Sequence, residues 1–474
     1  MLSQLTPTII LGIIALYFLV LISVSYFTGR KAGNAEFFLA GRNSPWPLVA
    51  IGMIGATLSG VTFISIPGVV GAGGENQAFS YMQMVFGYIL GYVVIAQVLL
   101  RLGLEACKTG AAYFLLSRTI GAAFRLYLVA IVLQAFVLGP FGVPFFATVA
   151  VTIVLIWVYT FKGGINTIVW TDTLQTVAMI SAVVLTIIFI GKAMETDIGG
   201  MVAMVRSSDY SQMFFFEGGW NDPNNFFKQF ISGALITIVM TGLDQDMMQK
   251  NLSCRNIGDA QKNMYVFSSV LVVAKFLFLS LGALLYIYAA SIGIDIPERT
   301  DELFPMIALN HLPAAVGIFF VLGLIAAAYS SADSALTALT TSFCVDFLNF
   351  EKSDASEQDK QRTRLYVHIG FSVLLLIIIV VFNALNNKDV ISQLFKAAGY
   401  TYGPILGLFT FGLLTNRRVN PRLVVPVCIA APVLSYVLNA NSEVLFMGFQ
   451  FGFLIIALNG LLTFAGLWAI SEEA

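Results

Sequence analysis

Long apolar runs recur along the whole chain, and they constrain its fold more than any motif does. A membrane-crossing helix needs about 20 mostly apolar residues. About thirteen runs approach or exceed that length: Thr8–Phe27, Pro47–Val70, Tyr81–Leu100, Ala111–Leu138, Phe145–Phe161, Thr167–Ile190, Phe227–Met248, Met264–Ala290, Ala314–Phe347, Leu365–Leu385, Leu394–Leu414, Leu423–Leu438 and Leu445–Ile470. A backbone in lipid satisfies its polar groups only in helices or closed barrels. These runs lack the two-residue alternation of a barrel strand, so they predict an all-α membrane protein.

Composition closes the alternatives. Of 474 residues, 58% are hydrophobic and 11% charged, against about 25% charged in an average soluble domain. A net charge of -1 offers no basic face to nucleic acid. Cys107, Cys254, Cys344 and Cys428 are far apart, with no metal-ligand spacing. His311 and His368 read as ordinary polar residues near helix ends. The first run has no Lys or Arg before it, which argues for a retained span rather than a cleaved signal peptide.

Lys and Arg gather in alternate loops. With the N-terminus outside, the inner side holds Arg30, Lys31, Arg42, Arg101, Lys108, Lys162, Lys250, Arg255, Lys262 and most basic residues from Lys352 to Arg422. The outer side keeps Lys192, Arg206, Lys228, Arg299 and Lys388. This bias places the C-terminus inside, which an odd number of spans requires. Met194 to Asn225 is long enough for a short interfacial helix, and Glu351 to Arg364 reads as a solvated loop or helix end.

Four spans are too polar to be plain lipid-facing helices. The second carries Gly52, Gly55, Thr57, Ser59, Gly60, Thr62, Ser65, Pro67 and Gly68. Such a cluster lets a helix unwind and turn carbonyls into a cavity, although close packing through small residues accounts for it equally. The seventh is interrupted by Gly233 and Gly242 and ends in Asp244, Gln245 and Asp246. Two interrupted spans in matching positions point to an inverted repeat. That pattern predicts a 5+5 architecture with broken helices 2 and 7. Residues 47–190 and 227–414 would be the repeats, flanked by a peripheral helix over 8–27 and two more over 423–470, all within one transporter domain of 1–474.

The sixth span contains Asp172 and the ninth Ser330, Ser331, Asp333 and Ser334. An intramembrane charge is a functional candidate by default. Hydroxyls and carboxylates in one turn suit a hard cation. An interfacial ion pair for Asp172, and serine packing in the ninth span, remain as bland readings. Arg118 and Arg125 share a face of the fourth span, and Lys275 lies in the eighth. Each needs a partner, whether a carboxylate of the protein or an anionic solute.

The segments GGINTIVWTDTLQ, AAAYSSADSALTALTTSF, TGLDQDMMQK and TLSGVTFISIPG, in that company, resemble the sodium:solute symporter family, from Phe37–Arg42 to the GYTYGPILGLF segment ending at Phe409. The resemblance implies the inverted-repeat fold of bacterial sodium-coupled amino-acid transporters. It also implies uptake of a small polar organic solute (a sugar, sialic acid or other carboxylate) driven by Na+, in a plasma membrane, by a monomer that binds no nucleic acid. It places a first sodium site at Gly55, Leu58, Ala327, Ser330 and Ser331. A second sodium site would comprise Thr57, Asp172, Asp333 and Ser334, with Asp333 free to pair instead with Arg118 or Arg125. It places solute contacts at Ser59, Thr62, Phe79, Gln83, Thr237 and one of Arg118 and Arg125, and an inner gate at Met240. A passive facilitator and a transporter-shaped sensor remain as alternatives. No nucleophile–base set points to an enzyme.

Overall fold

A computed structural model describes residues 6–29, 42–73, 76–102, 108–160, 165–350, 354–385 and 390–473. Cys107 and Phe37–Gly41 lie outside them. Ten helices among the described residues are long and apolar enough to cross a membrane, or twelve when each of two sharply bent pairs is one span. The chain is a multi-pass membrane protein.

In chain order the principal helices are α1 Pro7–Gly29, α2 Trp46–Thr57, α3 Val61–Val69, α4 Tyr81–Leu99, α5 Lys108–Leu133, α6 Phe145–Thr160 and α7 Ile165–Ala193. After the short α8 Ile198–Ser207 come α9 Phe226–Gly242, α10 Gln245–Leu252, α11 Ile257–Ser291 and α12 Ala314–Ser342. The last are α13 Glu357–Leu385, α14 Val390–Leu414, α15 Pro421–Ala440 and α16 Ile455–Ala469.

The two bends are where the sequence puts them. The α2–α3 pair turns by 62° and the α9–α10 pair by 63°. The causes differ in detail. At the first, Leu58 leaves helical geometry at φ -77, ψ 60, and the polar segment after it restarts as a wide turn over Val61–Ser65. At the second, Leu243 and Asp244 break the helix, and the Asp244 carboxylate accepts from the Asp246 N–H to cap α10. Gly233 does not interrupt the helix as expected. It lies inside α9, where a side chain would strike the Met84 backbone of α4. Together with Gly87 and Gly91 of α4, which face Phe230 and Thr237, it lets the two helices touch backbone to backbone.

Packing repeats at a displacement of five spans. The span α2 packs on α11, and α9 on α4. Likewise α7 packs on α12, and α14 on α5. The bent spans are thereby enclosed by two sets of neighbours in equivalent roles. Behind the first bend, Phe63 is ringed by Phe278, Phe304 and Phe320, which anchors α3.

Several sequence expectations change. The final run begins at Ile455 rather than Leu445, because Phe446 to Phe451 forms no helix. His368 lies within α13, not near an end, and its Nδ1 meets Thr340 Oγ1 at 2.9 Å. Arg364 is buried, so only the first part of the Glu351–Arg364 stretch can be solvated. Lys228 and Lys250 are buried rather than in loops. Met194–Asn225 does hold a short helix, α8, capped by Asp197. In the turn after α10, burial pushes the Cys254 thiol up to about 12, so it is poorly nucleophilic.

Candidate functional site

The bend in α2–α3 frees carbonyls that a continuous helix would have used internally. Two of them meet α12. Ser330 Oγ donates to the Gly55 carbonyl at 3.0 Å, and Ser331 Oγ to the Ala56 carbonyl at 3.3 Å. Leu58 and Ala327 are buried at the bend and on the preceding turn of α12. Gly55 has no room for a side chain: a Cβ would lie 2.9 Å from the Asp172 carbonyl. That glycine lets α2 close on α7, and Thr176 Oγ1 seals the contact by donating to the Ile51 carbonyl at 2.8 Å.

The four residues expected to form a second sodium site are divided. Thr57 lines a cavity, and its buried hydroxyl has no hydrogen-bond partner among the described residues. Asp333 is the chain neighbour of Ser334, and Ser334 and Asp172 instead meet Lys250. Its ammonium is 2.8 Å from Asp172 Oδ2 and donates to Ser334 Oγ at 2.7 Å, with Asp246 Oδ1 at 3.5 Å. The Asp333 Oδ1 accepts from the Ser334 N–H at 2.5 Å.

Arg118 continues this cluster. It bonds Asp246 directly and lies 3.7 Å from Asp244, which also accepts from Tyr402 Oη at 3.0 Å. Both acidic residues begin the second half of the broken seventh span, so the ion network ties α10 to α5, α7, α12 and α14. Among the described residues Arg118 is paired by the acids of α10.

Beside the network lies a cavity of about 80 Å³, room for several waters. Its wall includes Ser59, Thr62, Thr237, Thr241, Tyr81, Tyr88, Tyr92, Arg118, Arg125 and Lys275. Met240, the expected inner-gate position, is there too. Lys275 Nζ donates to Thr62 Oγ1 at 2.7 Å and sits 5.6 Å over the Tyr81 ring. Arg125 is part-buried, and its buried Nε and Nη1 have no hydrogen-bond partner among the described residues. Among the described residues no ion pair is formed by either cation.

Phe79 and Gln83 stand apart from the cavity. Phe79 packs edge-on against Phe276. Gln83 is locked by the loop before α9: its Nε2 donates to the Asn224 carbonyl at 2.8 Å, and its Oε1 accepts from the Phe215 N–H at 3.0 Å. Sequence reasoning missed Lys250, which counted only as a loop charge, and the tyrosines of α4. The i,i+4 spacing of Asp246 and Lys250 was the available signal.

Comparison with known proteins fits this geometry. The family described as the sodium:solute symporter family matches residues 37–422. The sodium/sialic acid symporter NanT of Aliivibrio fischeri is 25% identical, over 92% of this chain and 89% of its own. The sodium/glucose cotransporter of Vibrio parahaemolyticus is 23% identical, over 89% and 83%. Among solved structures, a substrate-bound, outward-open Na+-coupled sialic acid symporter superposes with a TM-score of 0.80 at 17% identity, covering 98% of this chain and 99% of that one. At that identity the likeness shows the shared LeuT-like, inverted-repeat fold.

Proposed function

The chain belongs to the sodium:solute symporter family, whose members couple transport of small solutes to Na+, and on that footing we propose that its solute is a small organic anion, a carboxylate first of all. One observation carries this reading. Arg125 and Lys275 face one cavity, and among the described residues neither forms an ion pair with a carboxylate. Two uncompensated charges at that depth are costly, and an anionic solute removes the cost by pairing with them. The names of relatives do not decide the matter, since one carries sialic acid and another glucose. Ser59, Thr62 and Thr237 supply hydroxyls for the rest of the solute. Phe79 and Gln83 have no part in this reading.

The first sodium site falls at the Gly55, Leu58 and Ala327 carbonyls with the Ser330 and Ser331 hydroxyls. In the structure those hydroxyls satisfy carbonyls of the bend directly. Sodium would take the same oxygens and so join α2 to α12, which fixes the bend beside the cavity. Coupling then follows by linkage: sodium raises solute affinity, and solute raises sodium affinity by the same factor. The protein works as a monomer in the plasma membrane, with its N-terminus outside and C-terminus inside. Loop charge supports that orientation.

A thermal-shift screen tests the solute class. Small carboxylates should raise the melting temperature in sodium chloride and not in choline chloride, while their neutral amides should do nothing. Equal stabilisation by amides and acids would overturn the anion reading. Ser331→Ala should raise the sodium concentration for half-maximal stabilisation. An unchanged value would remove Ser331 from the ion site.

A further inference from the structure

We infer that Lys250 is the resident cation of the second ion position, so that this chain binds a single sodium per cycle. The inference rests on the symport reading above and concerns its stoichiometry. Asp172, Asp246 and Ser334 offer two carboxylates and a hydroxyl, all buried, where α7, α10 and α12 meet, which is a cation site by its chemistry. That site already holds a positive charge. Lys250 Nζ is 2.8 Å from Asp172 Oδ2, 2.7 Å from Ser334 Oγ and 3.5 Å from Asp246 Oδ1. The ammonium thus has one hydrogen bond, to Ser334, and two ion-pair contacts, and the three oxygens come from three helices: α12, α7 and α10.

A free sodium ion at this position would compete for the same oxygens and meet the ammonium at contact range in a buried, poorly screened setting. The two cations exclude one another. The tether also changes what the charge does. A sodium ion leaves the protein on the inner side, whereas Lys250 stays with α10. The second position therefore compensates buried acids without adding to the ion gradient that drives the solute. Asp172 Oδ1 has no hydrogen-bond partner among the described residues, so an oxygen remains ready for an ion once the ammonium is removed.

Equilibrium binding of radioactive sodium to purified full-length protein tests this, with sodium alone as the probe and choline holding ionic strength constant. The wild type should saturate at one sodium per chain with a Hill coefficient near one. Lys250→Met should bind a second sodium, and the double variant Lys250→Met with Asp172→Asn should return to one. Two sodium ions per wild-type chain would overturn the inference and leave sodium coupling intact; none would overturn both. The wild-type count holds this test even where Lys250→Met fails to fold. A folded Lys250→Met protein that still binds one sodium also overturns the inference.

Discussion

Arg118 and Arg125 lie two helical turns apart on α5, and the fold treats them in opposite ways. Arg118 is held by Asp246 and Asp244, within a network that also takes in Lys250, Asp172 and Tyr402. Arg125, with Lys275 across the cavity, forms no ion pair among the described residues, although Asp244 and Asp246 of the cluster act on Arg125 from a distance. The ion-paired cluster ties the second half of a broken span to four helices. The second pair lines the cavity without an ion pair among the described residues. On the function proposed above, the paired cation serves structure and the other serves binding. That distinction separates two residues of the same type on one helical face.

The contrast breaks most visibly at Asp246, the acid shared by Arg118 and Lys250. Asp246→Asn leaves both cations short of a counter-charge in the bundle interior, and removing one partner of a buried pair costs about 3–5 kcal/mol. The variant should show a strongly lowered melting temperature in detergent, or no monodisperse protein. A melting temperature equal to that of the wild type would mean that the network carries no structural weight.

Arg125→Gln should do the reverse. Losing a charge-assisted hydrogen bond to a carboxylate costs about 1.5–3 kcal/mol of binding, or roughly 10- to 150-fold in affinity. Removing an unpaired buried charge should leave the melting temperature level or raise it. Solute titration and thermal unfolding of the same sample separate the two effects. If Arg125→Gln unfolds the protein and spares binding, the roles assigned to the two arginines are exchanged.

Much of this was legible before any coordinates. Both bends follow from polar, glycine-bearing segments inside apolar runs, and Ser330 and Ser331 stand out as hydroxyls in a membrane helix. What could not be read is which charge meets which. Asp172, Lys250 and Ser334 are far apart in sequence, and their meeting is a product of tertiary packing. Lys250 was hidden by a count that places every basic residue near a span end in a loop, whereas α10 continues inward and buries it. Gln83 sits on the helix facing the cavity, yet its amide is consumed by the loop before α9. Gly233 looked like a break and is a contact, because one glycine serves either purpose and only the neighbour decides.

Lys275 is a weaker version of Arg125. Its ammonium already donates to Thr62 and rests near the Tyr81 ring, so a solute gains less from it. Lys275→Met keeps the apolar stem and should weaken carboxylate binding by about tenfold, near 1.4 kcal/mol, with sodium binding unchanged. A variant that binds carboxylates as well as the wild type would leave Arg125 as the sole anion contact.

The smallest effect belongs to the edge of the ion-paired cluster. Tyr402 donates to Asp244 Oδ2 at 3.0 Å, and Asp244 keeps Arg118 and its own cap of α10 when that hydroxyl is gone. Tyr402→Phe retains the ring and removes one hydrogen bond, which is worth about 1 kcal/mol. Thermal unfolding should therefore show a small loss, well below that of Asp246→Asn, with carboxylate affinity near the wild-type value. A loss as large as the Asp246 variant's would extend the cooperative cluster across α14. A drop in affinity without a drop in stability would instead assign Tyr402 to the cavity, and the line between the two regions would have to be redrawn on that side of α5.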